Sequence, residues 1–273
     1  MIPDAPSGMG GAEAPTASIV IPVFNQVAYT RQCLEHIEKA TDIPYELIII
    51  DNASTDGTAA FLRGIGATVI TNATNQGCAG AWNQGVAASR GRYVVLLNND
   101  VLVTPGWLGR LVHFMTGTGR GIVSPAVRTG SLNYDLPTYA EVFTRACARA
   151  TRREVHGGCM VIAREVFDRV GLFDEGFQVG TFEDVDFLWR ARRAGVTMAT
   201  TGAVLVHHFG KVTQREVRKL LGDYESANAA RFVAKWGRGV EGGWLTRRAG
   251  RLRRFTQRLS ERLRYGHTLI EVG

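Results

Sequence analysis

Tyr93-Val94-Val95-Leu96-Leu97-Asn98-Asn99-Asp100 is the stretch on which the fold of this chain turns. Five apolar or aromatic residues in an unbroken run read as a strand covered on both faces, the pattern of a sheet lying between helices. Polarity then switches abruptly to two amides and a carboxylate. That places Asn98, Asn99 and Asp100 at the C-terminal end of a buried strand, where open α/β sheets bind ligands. Asp100 is a hard oxygen donor of the kind that holds Mg2+ or Mn2+ against a diphosphate. Asn and Asp also make ordinary turns after strands, so this stretch alone leaves site and turn equally open.

The same pattern recurs upstream. Ser18–Phe24 reads as a first strand, ended near Pro22, with Asn25 and Gln26 after it. Tyr29–Ala40 places Cys33, Leu34, Ile37 and Ala40 at helical spacing. Tyr45–Asp51 is a second strand that again ends in a carboxylate, followed by the polar loop Asn52–Gly57 and a helix from Thr58 to Arg63. Ala67–Ile70 is a third strand, Asn75-Gln76-Gly77 a turn, and Ala79–Ser89 a helix of small residues suited to close packing on a sheet. Alternating strands and helices predict parallel βαβ units with right-handed crossovers. Three polar strand ends, Pro22–Asn25, Asp51 and Asn98–Asp100, then share one sheet edge. Asp51 and Asn75 are candidates for hydrogen bonding a nucleobase and ribose, because a buried carboxylate left without an imide N–H is penalised. The same residue types also cap helices and form turns. Neither G-x-G-x-x-G after the first strand nor G-x-x-x-x-G-K-[ST] is present, which argues against a dehydrogenase or P-loop enzyme.

Downstream, Pro105 opens a helix that runs to about Met115, and Ile122–Pro125 reads as a strand. Leu132–Thr151 carries no clear period and is expected to be a long, partly mobile loop over a site. Gly157-Gly158 leads into the strand Cys159–Ile162, and the glycines allow close approach of a ligand or another segment. Arg164–Val170 is a short helix and Gly171–Glu175 a turn. A helix starts at Phe182 with Glu183, Asp184 and Asp186 in its first turn. The helix dipole favours acids there, but three of them beside Phe182, Phe187 and Trp189 exceed what a cap needs. Like charges crowded in a partly apolar site raise a pKa, which suits a general base. Ala199–Val206 is a strand ending at His207-His208. Strand alternation sends those two imidazoles to opposite sides. His207 is the one expected to face the cleft and complete a metal shell, against the alternative of a hydrogen-bonded surface histidine.

The chain has 273 residues, 45% of them hydrophobic and 21% charged, ordinary proportions for a globular protein. Its apolar runs are too short to span a bilayer. Met1–Ala17, rich in Pro, Gly, Ser and Ala, reads as a disordered leader rather than a signal peptide. Cys33, Cys78, Cys147 and Cys159 form no C-x-x-C pair and read as reduced, semi-buried residues of a cytoplasmic protein. The net charge of +7 is concentrated between Arg247 and Arg264, where eight arginines stand against one acid, Glu261. A basic tail on a near-neutral core gives weak support for nucleic acid binding, and none is expected. After the glycine-rich stretch 237–243, expected to be a hinge, Leu245, Leu252, Phe255, Leu259 and Leu263 fall on one helical stripe with arginines on the other face. Such helices lie on anionic membranes, and peripheral contact with the inner face of the plasma membrane through residues 244–265 is expected. Packing on the core or on another subunit is the alternative.

Seven stretches, in order, carry a resemblance. Ile19–Asn25, Ile50–Thr58, Asn75–Gly77, Asn83–Gly85, Leu97–Val101, Gly171–Glu175 and Phe182–Asp186 look like the family 2 inverting glycosyltransferases of GT-A fold, over roughly 70% of the chain. The resemblance implies an α/β domain with a mostly parallel central sheet flanked by helices. Residues 18–120 would be its nucleotide-sugar-binding half and 121–215 its acceptor-binding half with the catalytic base. Residues 216–273 would be a basic C-terminal helical tail. It also implies a nucleotide-diphosphate sugar donor, UDP first and dTDP second, Mn2+ or Mg2+, and a hydroxyl acceptor that a membrane-bound enzyme would find on a lipid. Cell-surface polysaccharide or glycolipid synthesis is the implied setting. Pro22, Phe24, Asn25, Asp51 and Ser54 would line the donor pocket, with Asp51 on the base. Asn75, Gly77, Asn83, Asn98 and Asn99 would complete it. Asp100 and His207 would hold the metal, Asp184 would be the base, and Glu183 would assist the acceptor. Asn98 stands where the family's D-x-D motif has its first Asp, one negative charge fewer. A non-catalytic sugar-nucleotide-binding protein of this fold, or a nucleotidyltransferase, are the competing readings. The latter usually needs a Gly-rich basic loop where Asn25-Gln26-Val27-Ala28 stands.

Overall fold

The computed structural model describes residues 15–210, 212, 217, 222–237 and 244–272. Its first half follows the expected alternation. Strands β1 (Ala17–Val23), β2 (Tyr45–Asp51), β3 (Thr68–Thr71) and β4 (Tyr93–Leu97) are separated by helices α1 (Val27–Ala40), α2 (Thr58–Leu62) and α3 (Gly77–Ala88). Every residue of β4 is buried, as an uninterrupted apolar run requires. All four strands pair parallel in the order β3-β2-β1-β4. Chain order reverses at β1, with β2 on one side and β4 on the other, and the crevice above such a switch point is where open sheets bind ligands. Pro22 lies in register with Ile50 of β2, whereas the ladder to β4 ends at Val20. The small residues of α3 bring that helix close to the sheet. A Cβ at Gly85 would collide with the Val20 side chain.

Beyond β4 the sheet becomes mixed. The elements are β5 (Val101–Leu102), α4 (Trp107–Thr118), β6 (Ile122–Thr129), α5 (Leu136–Cys147), β7 (Thr151–Arg152), β8 (Cys159–Ala163), α6 (Arg164–Val170), α7 (Glu183–Arg193) and β9 (Met198–His208). The path continues β4-β8-β6-β9-β5, with β8 antiparallel to β4 and β6. The β4–β8 register sets Leu97 against Cys159, so Gly157-Gly158 meets the polar end of β4, and Asn98 N donates to Gly158 O at 3.0 Å.

Two expectations need correction. Leu132–Thr151 is not a long loop. It holds α5, whose N-terminus Asp135 caps by accepting from Thr138 N at 2.9 Å, with Pro137 in the first turn. Leu136, Ala140, Phe143 and Cys147 recur at helical spacing and are buried, the last three against Ala126 and Leu205. Residues 216–273 are also more than a tail. After α8 (Tyr224–Trp236) and α9 (Trp244–Tyr265), β10 (Ile270–Val272) joins the main sheet parallel to β6. Glu261 turns inward to a buried ion pair with Arg152, Oε2 to Nη2 at 2.7 Å, and its Oε2 also accepts from Leu269 N at 3.0 Å. The outer face of α9 keeps the expected stripe exposed at Phe255, Leu259 and Leu263. The side chains of Leu245 and Leu252, the glycine stretch 238–243 and residues 1–14 of the expected leader lie outside the described residues, while Ala17 already belongs to β1. Among the described residues no helix is long and apolar enough to cross a membrane.

Candidate active site

An open cleft of about 790 Å3 lies over the C-terminal ends of β1, β2 and β4. Pro22, Phe24, Asn75, Asn98, Asn99 and Asp100 line it from the parallel half. His156, Gly157, Gly158, Glu183, Asp184 and His208 line it from the mixed half. Asn99 is fixed by donating from Nδ2 to Thr30 Oγ1 at 3.0 Å, which holds the turn beneath Asp100.

Asp100 is nearly buried. Its Oδ2 accepts from Gly210 N at 3.1 Å, and its Oδ1 stands 3.1 Å from His208 Nε2. The histidine expected here was His207, and the structure brings His208 instead. The β5–β9 ladder sets His208 against Val101 and His207 against Leu102, so alternation turns His208 toward Asp100. His207 is fully buried, and its Nδ1 is bonded to Tyr134 Oη at 2.8 Å. His208 Nδ1 is buried without a hydrogen-bond partner, as is Glu183 Oε2 across the cleft. One carboxylate and one imidazole fit a divalent ion whose remaining shell comes from phosphate oxygens and water. Among the described residues no group of three or more His, Cys, Asp or Glu side chains is set to hold an ion without such a ligand.

Both glycines before β8 are accounted for by close approach. A Cβ at Gly157 would fall on Asp184 Oδ2, and one at Gly158 would come within 2.9 Å of His156 Cε1 and 3.0 Å of His208 Nδ1. His156 accepts from Gly158 N at its Nδ1, 3.1 Å away. Burial, and then the neighbouring His208, push its pKa down to about 4, so it is neutral at physiological pH.

The three acids of α7 divide. Glu183 and Asp184 face the cleft, and burial raises both carboxyls above the usual range; the Asp184 charge raises Glu183 further. Asp186 turns the other way and is structural. Its Oδ2 takes Arg190 Nε at 2.9 Å, and its Oδ1 takes Trp236 Nε1 at 2.8 Å and Lys235 Nζ at 2.9 Å. Cys78 lies beside the pair, its thiol pushed well up by burial and by those two carboxylates. The chain enters α7 through a loop in which Val179, Thr181 and Phe182 all have positive φ, at 63°, 78° and 71°. Left-handed backbone at such residues costs about 1–2 kcal/mol each.

Of the expected donor residues, Pro22, Phe24, Asn75, Asn98 and Asn99 reach the cleft, while Asn25, Asp51, Ser54, Gly77 and Asn83 do not line it. Asp51 Oδ1 accepts from Ser54 N at 3.0 Å. Ser54 Oγ accepts from Asn25 N, and Asn25 Oδ1 accepts from Thr55 N at 2.7 Å, so these residues knit two loops together. Asn83 ties α3 to the Phe173–Glu175 turn by accepting from Phe173 N and donating to Glu175 Oε1. Asn52 was not anticipated and does line the cleft. Its amide donates to Asn75 Oδ1 and Gly77 O and accepts from Asn72 Nδ2 and Gln76 N, which uses its full capacity to hold the 72–77 turn. His156, Cys78 and His208 were also missed; only the alternation of the two histidines carried a signal for one of them.

Residues 18–171, more than half of the sequence, match the model described as Glycosyl transferase family 2. The chain belongs to that family. Among relatives of this glycosyltransferase, AglE of Haloferax volcanii, a glycosyltransferase, is 26% identical over 222 residues, covering 75% of this chain and 71% of AglE. Solved structures agree on the fold. Residues 1–349 of S. aureus TarS in complex with UDP superpose with a TM-score of 0.58 at 17% identity, covering 75% of this chain and 64% of that one. The mannosyltransferase PcManGT from Pyrobaculum calidifontis, in complex with GDP-Man and Mn2+, gives a TM-score of 0.57 at 21% identity, covering 80% of this chain and 65% of that one. This family 2 chain thus has the GT-A fold and spans slightly under two thirds of each of those two structures.

Proposed function

We propose that this glycosyltransferase moves a sugar, with inversion, from a UDP- or dTDP-linked donor to an acceptor hydroxyl in cell-surface polysaccharide or glycolipid synthesis. The observation that carries the reading is the Glu183–Asp184 pair, Glu183 buried and Asp184 half-buried, which faces the same cleft as Asp100 and His208. A sugar-nucleotide-binding protein without activity has no use for a carboxylate pair whose basicity burial has raised.

Asp184 takes the proton from the acceptor hydroxyl. The acceptor oxygen forms its bond to the anomeric carbon as the bond to the donor's diphosphate breaks on the opposite face. The leaving oxygen carries the electron pair, and configuration inverts in one displacement. Glu183, held protonated at neutral pH by burial and by Asp184, donates a hydrogen bond to an acceptor oxygen. Gly157 leaves the Asp184 carboxylate room to reach that proton. Asp100 and His208 would hold Mn2+ or Mg2+, which supplies positive charge against the leaving diphosphate. Pro22 and Phe24 give the base an apolar wall.

Incubation with a panel of nucleotide sugars tests this reading. Release of nucleoside diphosphate supports transfer, release of pyrophosphate indicates a nucleotidyltransferase, and binding without release indicates a non-catalytic protein. Asp184→Asn should remove most turnover and leave donor binding nearly intact; Asp100→Ala should abolish metal-dependent donor binding.

The exposed row Phe255, Leu259 and Leu263, beside exposed Arg258 and Arg262, supports contact with an anionic membrane on the cytoplasmic side, as a lipid-linked acceptor would require. Leu259→Glu with Leu263→Glu should weaken co-sedimentation with anionic vesicles; equal sedimentation would remove this part of the reading.

A further inference from the structure

We propose that Asn228 of α8 is a positioning residue for the transfer reaction: its carboxamide clamps the loop Gln178–Phe182 in the left-handed conformation from which Glu183 and Asp184 enter the cleft. The inference rests on the glycosyl-transfer reading above.

The loop needs a clamp. Val179 and Thr181 are β-branched, and at positive φ their Cβ crowds the following carbonyl. Such backbone persists only where the surroundings over-determine it. On the cleft side, Cys78 N donates to Val179 O at 2.7 Å. On the other side, one side chain, that of Asn228 and 1% exposed, bonds Gln178, Gly180 and Thr181 of the loop. Its Oδ1 accepts from Gln178 N at 2.9 Å. Its Nδ2 lies 2.8 Å from Gln178 O, 2.9 Å from Gly180 O and 3.2 Å from Thr181 O. Only an amide both accepts and donates in this way; a carboxylate of the same shape would face three carbonyl oxygens.

Asn228 acts from a fixed base. At the far end of α8, Lys235 and Trp236 reach Asp186 in the first turn of α7, and Arg231 and Lys235 reach Asp174. Phe232 packs against Phe182 with ring centroids 5.4 Å apart. One helix therefore grips α7 just inside its start and holds the loop just before it. Glu183 and Asp184 lie between those grips, with Val185 after them. Without the clamp, the loop relaxes toward ordinary φ and carries that pair out of line.

The test uses Asn228→Asp and Asn228→Ala in the full chain, with Arg231→Ala on the same helix for comparison. Three quantities are read: kcat and its pH profile on a nucleotide sugar that the wild type turns over, UDP binding with Mn2+ by calorimetry, and amide hydrogen exchange over residues 178–186. Both Asn228 variants should lower kcat about 100-fold, the usual penalty for misplacing a reacting group by about 1 Å, and hold UDP affinity within about threefold. The acid limb of the kcat profile should move, because the surroundings of the carboxylate pair change. Exchange over 178–186 should quicken while the β1 and β4 amides stay protected. Arg231→Ala should keep kcat within about twofold, since Lys235 still holds Asp174. If the isosteric Asn228→Asp keeps kcat within about twofold of wild type, Asn228 only fills space and the proposal is overturned. If the wild type turns over no nucleotide sugar, the transfer reading fails; hydrogen exchange then decides the clamp alone, and unchanged exchange in Asn228→Asp refutes it.

Discussion

Replacing Gly157 with alanine adds one carbon and two hydrogens to the protein and should remove most of its activity. The added Cβ falls on Asp184 Oδ2 and stands 3.1 Å from Asp184 Cγ and 3.5 Å from Asp184 Cβ. No rotamer of alanine avoids this, because the Cβ position is set by the backbone. Asp184 must therefore rotate, or the 156–158 segment must retreat, by on the order of 1 Å. A displacement of that size at a reacting group lowers turnover about 100-fold, or about 2.7 kcal/mol of transition-state stabilisation. The fold should survive. Gly157 is not among the glycines with positive φ, so alanine fits its backbone, and the loss of unfolded-state freedom adds about 0.4–1 kcal/mol of stability. Nucleoside diphosphate release measured under saturating donor gives kcat, calorimetry with UDP and Mn2+ gives donor affinity, and thermal unfolding gives stability. The expected result is a collapsed kcat with donor affinity and melting temperature near wild type. Gly157→Ala with kcat within threefold of wild type would refute the placement of Asp184 at the reacting hydroxyl. Loss of donor affinity in step with kcat would show instead that residue 157 serves the donor.

Gly158→Ala, one residue along, presses on His156 and His208, and should weaken Mn2+-dependent UDP binding rather than kcat alone. His208→Ala should lower that binding at least about tenfold, whereas His207→Gln should leave it intact and destabilise the fold by about 1–3 kcal/mol through loss of its buried bond to Tyr134; calorimetry and urea unfolding separate the two. Glu183 binds its proton more tightly folded than unfolded, so its contribution to stability is present below the usual carboxylate range and is lost as pH rises through the raised folded value. Glu183→Gln should flatten that alkaline loss in urea titrations at a series of pH values; an unchanged slope would contradict the burial argument. Glu261→Ala leaves Arg152 buried and unpaired and should cost about 3–5 kcal/mol in urea unfolding, with faster exchange at β10.

The parallel half of the sheet was legible because its signals are local. Runs such as Ile48-Ile49-Ile50 and Val94–Leu97 need no partner to announce burial on both faces, and the polarity switches at Asp51 and Asn98 mark where each strand leaves the core. Gly157-Gly158 was legible as a point of close approach, though not as the seat of Asp184 and His208. α5 was missed because its capping signal, Asp135 with Pro137, is modest and its apolar face is completed only by Ala126, Leu205 and Leu269 from distant segments of the chain.

By itself the sequence determined the order of strands and helices through β4, the edge on which polar residues gather, and Glu183, Asp184 and Asp100 as the chemically loaded side chains. Only the tertiary structure decided which of two adjacent histidines meets Asp100, because alternation fixes that they diverge and the β5–β9 register fixes which one turns inward. It also decided that Asp186 belongs to a structural ion pair and that Asp51 accepts from Ser54 N. Asn228 shows the limit most clearly. Nothing in its neighbourhood along the chain signals a role, because its partners lie 47 to 50 residues away, and a side-chain amide acquires meaning only from the backbone groups that folding places around it.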